Sequence, residues 1–118
     1  TSCVWEITPR ETAAVKADLD IILARRKSTQ PVDYPSCGSV FKNPKAHGMH
    51  AWQVLDRVGL RGHRIGDAQV AEKHSNFIIN HGTASAQDVR ALIELAKSRA
   101  LAQLGVELEE EVKYLGRF

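Results

Sequence analysis

The stretch Ser85-Ala86-Gln87-Asp88, followed by Val89, Leu92, Ile93, Ala96 and Ala100, constrains the fold of this chain most. The serine and aspartate have the spacing of a capping box, with the shorter Asp in place of Glu or Gln. The apolar residues then repeat at helical spacing up to Gly105. A helix with one apolar stripe must bury it against a second layer, so the rest of the chain has to supply a cover.

Strands are the expected cover. The β-branched content around Ile65 to Val70 and Asn76 to Asn80 suits two strands, with His81-Gly82 as a turn, and a last strand is expected from about Val106 to Leu115. Val4, Trp5 and Ile7 suit a short strand over Cys3 to Thr8. Thr8-Pro9-Arg10-Glu11 offers a capping threonine, proline at the first helical position and a glutamate to close the box, so a helix is expected there with Val15, Leu19, Ile22 and Leu23 on its apolar face. Ser28-Thr29-Gln30-Pro31 ends it. A shorter helix groups Ala51, Val54, Leu55 and Val58 on one face, with Gly59 where a left-handed cap belongs. The fold class is α+β: a small mixed or antiparallel sheet with helices packed on one face.

The 118 residues fit one domain core. A net charge of +2 is too small to imply nucleic acid or an anionic membrane as a partner. No apolar run approaches the ~20 residues needed to span a bilayer and no signal peptide opens the chain, so it reads as soluble. Cys3 and Cys37 have no partner pair to form a disulfide framework, which fits a reducing cytoplasm. His47 and His50 lack the second ligand pair of a metal site, and none is assigned. No Gly-rich phosphate fingerprint is present, so any nucleotide cofactor is expected to be bound mainly elsewhere. The chain begins Thr1-Ser2-Cys3 and its only methionine is Met49, which leads us to expect a piece of a longer protein.

Candidate chemistry lies in "YPSCGSVFKNP", Tyr34 to Pro44. Pro35 favours an extended approach and Gly38 permits a tight bend just before Ser39, which is expected to enter a strand through Val40 and Phe41. A serine hydroxyl can deliver a proton if held in orientation, and Lys42 and Asn43 offer a cation and an amide donor for phosphate or carboxylate oxygens. A polar turn capped by hydroxyls explains the same residues. Cys37 is the alternative nucleophile, although nothing local marks it as activated. In the tail, Glu107, Glu109 and Glu111 share a face by the two-residue period, either as a solvated edge or around a ligand or cation. Arg61 to Asn76 interleaves glycines with basic and titratable side chains, as an anion site or as scattered surface charge.

In order along the chain, "QPVDYPSCGSVFKNP", "GLRGHRIGDAQVAEKHSNFIIN", "ASAQDVRALIELA" and "GVELEEEVKYLG" resemble the C-terminal substrate-binding part of the UDP-N-acetylenolpyruvoylglucosamine reductase (MurB) family. The short connection from Asn43 to Ala51 is similar to that family's compact-loop subtype. The resemblance implies that residues 1–29 are the exit strand and linking helix of an absent FAD-binding region, and that residues 30–118 are the substrate-binding domain. It also implies a cytoplasmic flavoenzyme of peptidoglycan precursor synthesis. NADPH reduces FAD, and UDP-N-acetylglucosamine enolpyruvate becomes UDP-N-acetylmuramate by hydride transfer to the vinyl methylene carbon and protonation of its neighbour.

On that resemblance Ser39 is the proton donor and Glu111 acts at the carboxylate end of the enol. Asn43 and Lys42 contact the substrate, with Arg61, Lys73 and His74 as further anion contacts. Trp52, Asp67 and Glu110 depart from the family pattern, which usually has a small residue, a glycine and a proline there. The chain alone is expected to be inactive, since hydride chemistry needs the flavin region. A non-catalytic UDP-sugar or anion-binding module is the alternative, and a Ser or Cys hydrolase a further one.

Overall fold

A computed structural model describes residues 2–116, so Thr1 and Arg117-Phe118, the outermost residues of the two expected segments, lie outside the described part. The elements are α1 (Thr12–Thr29), β1 (Ser36–Ser39), a 3-10 turn (Lys45–His47), α2 (Ala51–Arg57), β2 (Arg64–Ile65), β3 (Ala68–Val70), β4 (Phe77–Asn80) and α3 (Ala86–Leu104). The strands form one antiparallel sheet in the order β1-β4-β3-β2. This is the expected α+β class.

α3 packs on β2, β3 and α2, burying Leu92, Ile93, Ala96 and Ala100. Its capping box forms as read: Asp88 N–H donates to Ser85 Oγ at 3.1 Å, and Ser85 N–H to Asp88 Oδ2 at 2.8 Å. α2 buries Ala51, Val54 and Leu55 in the same core, which Val40, Phe41, Val70, Ile78, Val106 and Leu108 complete. Both helices therefore cover one sheet face. The other face carries the smaller buried cluster of Ala71, Phe77 and Ile79.

Four expectations are corrected. Residues 2–11 form no strand, and Val4, Trp5 and Ile7 are 95%, 80% and 80% exposed, because among the described residues no strand lies alongside to pair with them. α1 begins at Thr12 rather than behind Thr8: Glu11 has ψ 130°, outside helical geometry, so no capping box closes. The expected strand from Ile65 to Val70 is a hairpin, since Gly66 at φ +54° turns the chain between β2 and β3. The expected last strand is extended chain with one isolated bridge, Phe41 to Glu110, and no continuous ladder.

β1 contains an irregularity that matters for the site. Ser36 pairs with Ile79 but Ser39 pairs with Phe77, so one extra residue is accommodated, and Gly38 takes φ +75° to do it. β1 ends at Ser39 instead of continuing through Val40 and Phe41. Asn76 fills the broken ladder: Val40 N–H donates to its carbonyl at 2.9 Å, Phe41 N–H donates to its Oδ1 at 3.0 Å, and its Nδ2 donates to the Phe41 carbonyl at 2.9 Å.

Candidate functional site

An open cleft of about 1070 Å³ runs between the 39–47 segment, the start of α2, the 74–76 turn and the 105–111 tail. Ser39 enters it directly after the Gly38 bulge. Among the described residues no protein group hydrogen-bonds Ser39 Oγ, so its proton is available to a ligand. The tail reaches the same place by main-chain pairing: Glu111 N–H donates to the Val40 carbonyl at 2.8 Å, and Lys42 N–H donates to the Glu109 carbonyl at 2.9 Å. Glu107, Glu109 and Glu111 all line the cleft, as the two-residue period predicts, while Val106 and Leu108 point into the core.

The carboxylates do not stand alone. Lys42 Nζ donates to Glu109 Oε1, which raises the pKa of the lysine and lowers that of the glutamate. Glu110 points the other way, to Lys97 Nζ at 2.7 Å, and this hydrogen bond holds its carboxyl below the usual range. Tyr114 belongs to the same group: burial, then its hydrogen bond to Glu110, pushes its phenol up to about 12.

Asn43 lines the cleft with its amide anchored, because Oδ1 accepts from Ala51 N–H at 2.9 Å, at the first turn of α2. The amide NH₂ is left for a ligand. His74 also lines the cleft, edge-on to Phe77 with ring centroids 5.0 Å apart. Burial lowers its pKa, Nδ1 accepts from Asn76 N–H at 3.3 Å, and the neutral ring therefore carries its proton on Nε2.

Arg61 and Lys73, expected as anion contacts, do not line the cleft. Arg61 is committed to Asp56 (Nε to Oδ1, 2.9 Å) and to the Glu72 carbonyl, so it braces the turn that carries His74. Lys73 donates to the Lys27 carbonyl at 2.8 Å and lines a separate cavity of about 290 Å³ with Tyr34, Gln69 and His81. Asp67 accepts from Thr83 Oγ1 at 2.5 Å and pairs with Arg64, which ties down the β2–β3 turn outside the cleft. Cys37 is absent from the cleft lining, and burial pushes its thiol up, away from the reactive thiolate.

Sequence reading missed Asn76, 5% exposed, which fixes the backbone after Ser39. Its only signal was an amide directly before the apolar run Phe77 to Ile79. Trp52, the departure from the family's usual small residue, stands 39% exposed in the cleft wall, parallel to His50 within 13°.

The family described as UDP-N-acetylenolpyruvoylglucosamine reductase, C-terminal domain, matches residues 30–115. The UDP-N-acetylenolpyruvoylglucosamine reductase of Magnetococcus marinus is 50% identical over 114 residues, covering 97% of this chain and 36% of that protein. The UDP-N-acetylenolpyruvoylglucosamine reductase 2 of Symbiobacterium thermophilum is 46% identical, covering 96% of this chain and 36% of its own length. The crystal structure of UDP-N-acetylenolpyruvylglucosamine reductase (MurB) from Thermus caldophilus superposes with a TM-score of 0.68 at 34% identity, over 91% of this chain and 37% of that one. The chain thus spans little more than a third of the length of these relatives.

Proposed function

The chain belongs to the UDP-N-acetylenolpyruvoylglucosamine reductase family, in its C-terminal domain. From that premise we propose that it supplies the substrate pocket and proton donor of a cytoplasmic flavoenzyme that reduces UDP-N-acetylglucosamine enolpyruvate to UDP-N-acetylmuramate with NADPH and FAD, in peptidoglycan precursor synthesis. The observation that carries this reading is the meeting of Ser39, with an uncommitted hydroxyl, and Glu111 in one cleft.

The flavin is assigned to a region other than this chain. A dinucleotide pyrophosphate needs free main-chain N–H groups at a helix start or glycine-rich turn. The sequence carries no glycine-rich phosphate fingerprint of that kind. We assign residues 1–29 as the connection to that region and 30–118 as the substrate-binding domain. The uncovered apolar face of α1, with Val15, Leu19, Ile22 and Leu23 about half exposed, supports this. The chain alone is accordingly inactive.

The chemistry that reduced flavin supplies is hydride at the vinyl methylene carbon. Ser39 then gives its proton to the adjacent carbon as the double bond becomes single, and the serine is reprotonated from solvent. Glu111 faces the carboxylate end of the enol while charge sits there. Lys42, Asn43 and His74 Nε2–H hold the anionic parts of the substrate, so that the proton arrives from one fixed direction. Arg61 positions His74 without touching substrate, and Lys73, which faces a separate cavity, takes no part.

Ser39→Ala in the full-length protein containing this chain tests the reading. Substrate-dependent NADPH oxidation falls by about 10²- to 10⁴-fold with substrate affinity within about threefold. An unchanged rate would overturn the proton-donor role, and failure to bind a UDP-sugar would overturn the pocket.

A further inference from the structure

The reduction chemistry gives no task to Trp52. It lies in the first turn of α2, where Ala51, Val54 and Leu55 are fully or almost fully buried, yet its indole stays exposed in the cleft wall. It is held rather than loose. The buried Ser75 donates from Oγ to the Trp52 carbonyl at 2.9 Å, and the His50 ring lies nearly parallel to the indole, with centroids 6.4 Å apart. Two aligned aromatic faces on a fixed helix start form a preorganised surface for a planar ring.

The rest of the wall says which ring. Ser39, Lys42, Lys45, His50 and Trp52 follow one another along the chain and all line the cleft. The cleft thus gathers a proton donor, two cations and two aromatic faces. An enolpyruvyl sugar nucleotide offers a counterpart to each: reacting carbon, diphosphate, base.

We propose that Trp52, with His50 beside it, is the stacking platform for the nucleobase of a nucleoside diphosphate-sugar in this cleft. The inference rests on the functional reading above and adds to it the residue that recognises the base. Stacking of a base on an aromatic side chain corresponds to roughly a 5- to 150-fold gain in affinity.

The test uses Trp5→Phe, which leaves Trp52 as the only tryptophan. UDP is titrated against its fluorescence, with pyrophosphate as the base-free probe. UDP quenches the Trp52 emission and pyrophosphate does not. Calorimetric titration of Trp52→Ala shows UDP affinity down about 5- to 150-fold with pyrophosphate affinity within about twofold, whereas Trp52→Phe retains most of the UDP affinity. Matching melting temperatures confirm that the variants are folded. UDP binding that is unaffected by Trp52→Ala, or quenching by FMN with none by UDP, overturns the platform and leaves the reductase reading standing. A chain that binds no UDP at millimolar concentration overturns both.

Discussion

The N–H of Glu111 and the carbonyl of Val40 are joined at 2.8 Å, and this main-chain bond sets the closing glutamate beside the serine that precedes Val40. The spacing of the two groups is therefore a backbone property. The Glu111 side chain is free for chemistry because it does none of the holding.

Replacing Glu111 by Ala should consequently leave the melting temperature unchanged while lowering the proposed reductase kcat of the full-length protein by about 10²- to 10³-fold, the scale of losing one positioned group at a developing oxyanion. Glu111→Gln, which keeps the side chain's length and brings an amide N–H donor, should lose less. Steady-state kinetics with a thermal melt on each variant checks both. A large drop in melting temperature would mean that the side chain is structural.

Lys42 is engaged by Glu109 in the free protein. A phosphate or carboxylate that takes this lysine must displace that partner, so Glu109→Gln should tighten binding of UDP roughly two- to fivefold and Lys42→Ala should weaken it. Both pairing groups are exposed, and the differences should shrink in 0.5 M salt, where the screening length is only a few ångströms. Calorimetry at two salt concentrations distinguishes this from a packing effect.

Gly66 turns the β2–β3 hairpin at φ +54°, and a Cβ there would lie 2.7 Å from Asp88 Oδ2, the oxygen that caps α3. Gly66→Ala should combine a left-handed backbone penalty with a weakened cap, about 1–3 kcal/mol in all, and lower the melting temperature by roughly 4–8 °C for each kcal/mol. Urea unfolding of the variant measures it.

His74 titrates below the ordinary histidine value because burial disfavours its charged form. The neutral ring is favoured in the folded state, so its contribution to stability is complete above about pH 6.5. That contribution declines as the unfolded chain takes up the proton below that pH. Protonation at Nδ1 also ends the bond from Asn76 N–H. Between pH 7.5 and pH 5.5 the urea midpoint of the wild-type chain should fall further than that of His74→Asn, and equal falls would contradict it.

Much of the fold was legible because some segments carry their own boundary chemistry. The capping box at Ser85 and Asp88 and the face of Ala51, Val54, Leu55 and Val58 specify α3 and α2 without reference to anything distant. Val4, Trp5 and Ile7 have strand composition but no neighbour to pair with among the described residues, and composition cannot supply a neighbour. The two-residue period placed Glu107, Glu109 and Glu111 on one side although the tail makes only one bridge, since extended chain alternates with or without a ladder. Arg61 and Lys73 were grouped with His74 on the family resemblance. The β2–β3 hairpin and the turn after it send the three side chains in different directions, which no local pattern announces.

Position 110 shows what the bridge to Phe41 leaves open to sequence drift. The bonds that fasten the tail use the Glu109 carbonyl and the Glu111 N–H, and among the described residues nothing accepts from the N–H of Glu110. Proline, a residue with no N–H to give, would lose no main-chain hydrogen bond there. The main-chain bonds of the bridge are the same for both residues, and glutamate adds an ion pair to Lys97 and a hydrogen bond with Tyr114 on the outward side. The separation of Ser39 and Glu111 can thus be inherited intact while the residue between their anchors varies.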